Sequence, residues 1–316
     1  MNDPWTLFWR SNNPQSCIPT SSNASVPALT QLWASFAASL PPACSVLDLA
    51  TGNGIVPYQL LGARDDLQIT AADRAAIDPL HSLHEPAGLC RVQFRPSIDL
   101  ADPAMRLGAF GAVTSQFGIE YLPAQARVAA VERHLAPGGR FCLVVHHSAS
   151  AIVTPRAADL RELDTLLDEG GPAQAAQRFA RQQLDAASLE RQTHAFMQRE
   201  LRRTQRLSGR VVQGVDRLLT VLETGDAAGA RQLAGNLAIR VAAERERLTQ
   251  LQSAALDASG AAAFTAALRA AGLNCDAHSV ITDTVSARDA EPQAHEVILG
   301  WRFTGQRLSP AAGSSV

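Results

Sequence analysis

The sequence predicts an α/β fold: a mostly parallel sheet with helices on both faces, its last strand antiparallel, interrupted by a large helical segment. Three observations predict it. Short apolar runs suited to buried strands alternate with helix-compatible stretches between residues 29 and 147, the pattern of a parallel sheet with covered faces. From Pro155 to Gly260 almost nothing strand-like occurs. Two further strand-like runs then close the pattern, so the helical stretch reads as an insertion within one α/β domain rather than a second domain in tandem.

Taken in order, residues 1–28 are rich in Ser, Asn and Pro but carry Trp5, Phe8 and Trp9, so this segment is expected to dock through its aromatics, as a lid. Between Pro27 and Leu40 the residues Leu29, Leu32, Trp33, Phe36, Ala37 and Leu40 recur at helical spacing, and Pro41-Pro42 stops the pattern. Strand runs follow at SVLDLA (45–50), LQITAAD (67–73), GAVTSQF (111–117) and GRFCLVVHH (139–147). In the helical block no proline occurs between Pro172 and Pro292. Its clearest breaks are Gly170-Gly171-Pro172 and Thr224-Gly225-Asp226, the second offering Asp226 as an N-cap. The block balances 15 arginines against 14 acids, so RELRRTQR (199–206) reads as a solvated helix face. Ala261 to Ala271 is amphipathic and ends at Gly272, a C′ glycine. LNCDAHSVITD and HEVILGWRFTG then read as two strands, antiparallel neighbours because the link between them is short and not helical. The expected division is an N-terminal segment 1–28, an α/β domain over 29–154 and 260–308, and a helical insertion 155–259.

Composition sets bounds on function. Of 316 residues 46% are hydrophobic and 18% charged, with a net charge of −2, which excludes wholesale disorder and a broadly basic nucleic-acid scaffold. All 28 basic residues are arginine. The five cysteines lie 27 or more residues apart with no CxxC, so they read as reduced structural thiols, and no metal site is expected. No long uncharged apolar window and no signal-peptide pattern occur, so the chain reads as cytoplasmic, with neither a membrane nor a nucleic acid as partner.

The sharpest local signal is VLDLATGNG (46–54), a strand running into a glycine turn and then the helix-compatible VPYQLL. Gly52 and Gly54 permit close backbone approach, and the helix start offers N–H groups to an anionic ligand group. Nineteen residues beyond Gly54, Asp73 ends the second strand, where a carboxylate can accept both ribose hydroxyls. The third glycine of a dinucleotide fingerprint is missing. Asp48 would repel a pyrophosphate but attract a cationic amino group, so a ligand with an amino-acid head and an adenosine tail fits better.

VLDLATGNG with Asp73 downstream resembles the first two motifs of the class I S-adenosylmethionine-dependent methyltransferases, and Ala50-Thr51 is similar to the quinone-biosynthesis type. FGAVTSQFGIEYLP (110–123) and HLAPGGRFCLVVHH (134–147) are similar to the family's fourth- and fifth-strand motifs, and AALRAAGL to its last helix. The resemblance covers roughly residues 27–148 and 260–305; no motif covers the N-terminal segment or the helical block. It implies a Rossmann-like sheet with the insertion after the fifth strand, and S-adenosyl-L-methionine as cofactor. Asp48, Ala50, Gly52 and Gly54 would surround its methionine part, Asp73 its ribose, Ile98 and Asp99 its adenine. Ser115, Gln116 and Phe117 would border the sulfonium. Gly111, where the family often has Asp, is a departure with an expected local structural effect.

Direct displacement at a sulfonium needs in-line proximity and removal of an acceptor proton, not a covalent nucleophile. The base candidates are His146 and His147, at the ligand-binding end of the fifth strand and facing opposite sides, with Glu120 and Tyr121 after the fourth as rivals. The expected function is methyl transfer to a small-molecule acceptor with general-base assistance. The alternatives are a protein or nucleic-acid methyltransferase and a non-catalytic cofactor-binding protein, with the helical block serving as a lid or as a homodimer surface.

Overall fold

A computed structural model describes residues 3–10, 26–82, 88–200, 206–286 and 294–308. Cys17, Pro292 and most of RELRRTQR lie outside the described residues. In chain order the elements are α1 (Pro4–Arg10), α2 (Pro27–Ala38), β1 (Ser45–Leu49), α3 (Ile55–Ala63), β2 (Gln68–Ala72), α4 (Pro79–Ser82), β3 (Gln93–Arg95), β4 (Phe110–Gln116), α5 (Ala124–His134) and β5 (Leu135–His146). They continue as α6 (Arg156–Leu167), α7 (Pro172–Ala180), α8 (Ala186–Glu200), α9 (Arg206–Glu223), α10 (Ala227–Ala254), α11 (Ala258–Ala270), β6 (Leu273–Cys275), β7 (Ser279–Ser286) and β8 (Ala294–Arg307). Two compact units result: Met1–Phe8 with Pro155–Gln252, and Trp9–Thr154 with Ser253–Val316.

The second unit is built on one sheet of order β3-β2-β1-β4-β5-β8-β6, with β7 also paired to β8. Strands β1 to β5 are parallel, and β8 runs antiparallel to β5. Their apolar character follows from burial on both faces: β1 is buried from Val46 to Leu49 and β5 from Phe141 to His146. The main core joins Leu47, Leu49, Val113, Phe141, Leu143 and Phe303. Helix α2 starts at Pro27, whose missing N–H costs nothing at a first-turn position, and buries Leu29, Trp33, Phe36 and Ala37. Helix α11 is N-capped by Asp257, which accepts from the Gly260 N–H, and is followed by Gly272 at φ 77°. At Gly111 a Cβ would come within 2.8 Å of the Cys44 sulfur, so close strand packing, not a ligand, accounts for glycine there.

The segment LNCDAHSVITD, expected as one strand, forms two. From Cys275 to Ser279 is four residues, while the partner advances only three, from Gly305 to Arg302. The extra residue bulges out and splits the ladder. His278, inside the break, packs edge-on against Trp301, with ring centroids 5.2 Å apart.

The other unit is helical. Its apolar clusters centre on Phe179, Leu189, Val215 and Leu218, and on Leu163, Leu166, Phe196 and Leu248. Asp226 caps α10 by accepting the Gly229 N–H at 2.8 Å, after Gly225 reverses the chain at φ 91°. The Arg247 guanidinium lies 4.3 Å from the Phe8 ring centroid and 5.6 Å from that of Trp5, whose indole N–H donates to Gln250 at 2.7 Å. Among the described residues no helix is long and apolar enough to cross a membrane.

Candidate functional site

Parallel strands bring the residues that follow β1, β2, β4 and β5 to one edge of the sheet, where open α/β sheets bind ligands. The chain leaves β1 through Ala50 at φ 55°, Gly52 at φ 54° and Gly54 at φ 83°, and α3 begins at Ile55. Ala50 is not a glycine, so its left-handed conformation carries strain of the kind that collects at ligand-binding turns. Gly118, just beyond β4, locks against it: a Cβ there would lie 2.5 Å from the Ala50 Cβ.

Asp48 is buried within β1, where its Oδ1 accepts from the Thr114 hydroxyl at 2.8 Å. Its Oδ2 has no hydrogen-bond partner among the described residues. Burial pushes this carboxyl up to about 7; the Thr51 and Thr114 hydroxyls oppose the rise and the Asp73 charge adds to it. Asp73 turns Oδ2 onto the Gly52 N–H at 2.7 Å and Oδ1 onto the Ala75 N–H at 2.8 Å, so the end of β2 holds the glycine turn in shape.

The other sequence candidates divide. Ile98 packs on the edge of the core, and its N–H donates to the Asp73 carbonyl at 2.9 Å. Asp99 is exposed and folds its carboxylate back onto the Ala101 N–H at 2.9 Å. Ser115 spends its hydroxyl on the scaffold, donating to the Leu49 carbonyl at 2.8 Å and accepting the Ile119 N–H at 3.1 Å. Gln116 accepts the Trp33 indole N–H at 2.6 Å. Of the triplet Ser115, Gln116 and Phe117, the aromatic ring is the one left to shape an apolar wall. Phe117, at φ 53°, stacks on His146 with centroids 4.4 Å apart, and Gly300 makes room, since a Cβ there would meet the Phe117 ring at 2.9 Å.

His146 and His147 take opposite sides of the strand. His146 is fully buried between Phe117 and the edge of Tyr121, whose centroid lies 6.1 Å away. Its backbone N–H donates to Glu120 Oε1 at 2.7 Å. Glu120, in the turn Ile119–Tyr121, is also buried, and burial pushes its carboxyl up to about 7 despite the backbone N–H donors and the nearby Arg127 charge. Its Oε2 has no hydrogen-bond partner among the described residues. His147 stacks on Trp301 with centroids 4.4 Å apart, and its Nδ1 accepts the Ala149 N–H at 2.9 Å. That ring nitrogen is thus committed to the turn after β5, and burial holds the imidazole below its ordinary pKa.

Sequence reasoning missed the contacts of Gly118 and Gly300 and the seat of Trp9. Trp9 is buried, and its indole lies against Gly52 while its carbonyl accepts from Asn53 Nδ2 at 3.0 Å. The signal was the group Trp5, Phe8 and Trp9 in a segment rich in Ser, Asn and Pro, which announced docking but not where.

The strand order, with one antiparallel strand set beside β5 and a glycine turn after β1 facing an acid at the end of β2, decides the architecture. The fold is a Rossmann-like α/β sheet. No family model matches the chain, and no curated protein is significantly similar to it. Solved structures that it resembles include the cyclase SpnF, at 20% identity over 39% of this chain and 46% of that one, with a TM-score of 0.33. A putative methyltransferase of Haloferax volcanii, solved with a methyltransferase activator, is 12% identical over 98% of this chain and 99% of that one, with a TM-score of 0.47. An O-methyltransferase family protein from Burkholderia thailandensis is 15% identical over 89% of this chain and 57% of that one, with a TM-score of 0.40. The chain thus spans under two thirds of the length of the cyclase and of the Burkholderia protein. Likeness at these scores concerns general architecture and says nothing of activity.

Proposed function

We propose that this chain is an S-adenosyl-L-methionine-dependent methyltransferase acting on a small-molecule acceptor. The observation that carries the reading is Asp48: a buried carboxyl with one oxygen unpartnered among the described residues, at the end of β1 beside a glycine turn. An acid so placed suits a cationic amino group, which would stabilise its ionised form and fill the missing contact. Gly52 and Gly54 would let the backbone approach the methionine part, while Asp73, which holds the Gly52 and Ala75 N–H groups, would stand beside the ribose. Ile98 would line the adenine side, and Asp99, whose Oδ1 holds the Ala101 N–H, would offer it the other oxygen.

When bound, the cofactor supplies an activated methyl group on a cationic sulfur. The protein then has to exclude water, align the acceptor and take a proton from it. The Phe117, Tyr121 and His146 rings supply an apolar wall. Glu120, with its carboxyl raised to about 7, suits a proton acceptor near neutral pH better than His147, whose Nδ1 is held by the Ala149 N–H. A small-molecule acceptor fits the near-neutral charge of the chain, −2 overall.

Calorimetric titration tests the cofactor half. S-adenosylhomocysteine should bind and NAD should not, and Asp73→Ala should weaken binding by about 1.5–3 kcal/mol for bonds lost to a charged acceptor. Binding of NAD with no adenosylhomocysteine signal would overturn the assignment.

A further inference from the structure

Trp9 makes a contact with the glycine turn that methyl transfer does not require. A Cβ built on Gly52 would come within 2.4, 2.6 and 2.7 Å of three indole atoms, so the ring fills the space that a side chain at Gly52 would take. Two hydrogen bonds fix this seat. Asn53 Nδ2 donates to the Trp9 carbonyl at 3.0 Å, and Arg10 Nε donates to the Ala76 carbonyl at 2.9 Å. The first ties Trp9 to the turn carrying Gly52, the second ties its neighbour to the segment after Asp73. The open face of a glycine turn is useful because a ligand can approach the backbone there. With the indole in van der Waals contact, no ligand atom fits between it and Gly52.

We propose that Trp9 is an intramolecular occupant of the cofactor cradle: it competes with S-adenosylmethionine for the face of Gly52, and the cofactor enters only after Trp9 swings out. This rests on the cofactor reading above and adds a gate to it. A buried indole with two latches favours the closed state, and the apparent affinity is reduced by the fraction of molecules that are open. Removing the indole lifts that reduction.

The experiment titrates S-adenosylhomocysteine into the wild type, Trp9→Ala and Arg10→Ala, with binding rates followed by stopped-flow fluorescence. Arg10 is exposed, so its replacement loosens a latch without opening the core. Trp9→Ala should bind about ten-fold more tightly and Arg10→Ala by a smaller factor in the same direction. The wild-type rate should level off with ligand concentration at the opening rate, whereas the Trp9→Ala rate should keep rising. Equal or weaker binding by a folded Trp9→Ala, or a wild-type rate that never levels off, would overturn the gate and leave the cofactor reading standing. No binding by any of the three proteins would overturn both.

Discussion

Asp48 should make cofactor binding release a proton. Burial raises its carboxyl from 3.8 to about 7, so at about pH 6 roughly nine tenths of it is protonated. A cationic amino group brought against that carboxyl favours the ionised form, and the proton leaves as the ligand arrives. Titration with S-adenosylhomocysteine should therefore release roughly 0.9 proton per site at about pH 6 and roughly 0.5 at about pH 7. The same linkage raises the affinity about five-fold over that interval. The assay is calorimetry at fixed pH in buffers of different ionisation enthalpy, where the dependence of the apparent heat on the buffer gives the proton count. Asp48→Asn keeps the shape of the side chain but has no proton to lose, so its count should be near zero. Binding by the wild type without proton release at about pH 6 would refute the pairing of Asp48 with an amino group. An unchanged count in Asp48→Asn would refute it equally, by assigning the proton to another group.

Two further expectations concern other parts of the chain. The Glu120 carboxyl is raised from 4.5 to about 7, so the folded state holds its proton after the unfolded state has lost it; stability should fall as pH rises between those values. Chemical denaturation across that range should show the slope, Glu120→Gln should remove Glu120's share of it, and, if Glu120 is the base, the variant should lower kcat by about 10² to 10⁴. Asp226→Ala deletes the cap that accepts the Gly229 N–H and should cost the helical unit about 1 kcal/mol in thermal unfolding, with S-adenosylhomocysteine affinity unchanged.

What the sequence by itself determined was local. Strands β1, β2, β4 and β5 were legible as apolar runs, because a strand buried on both faces must be apolar along its whole length. The glycine turn and Asp73 were legible because left-handed backbone and a strand-end acid leave marks at fixed spacing. The N-cap at Asp226 was legible for the same reason, since capping is a matter of three residues.

Tertiary structure decided whatever depends on a partner far along the chain. Nothing near Ser115 announces that its hydroxyl is spent on Leu49, 66 residues away. The bulge that divides β6 from β7 arises from register against β8, a count that neither segment contains alone. Period-two alternation told that His146 and His147 face opposite ways; only packing against Phe117 and Trp301 decided which ring goes where. Trp9 is the extreme case. Nothing beside it in sequence points to the glycine turn, and its place on Gly52 is set by shape, by an indole filling the volume that a missing side chain leaves.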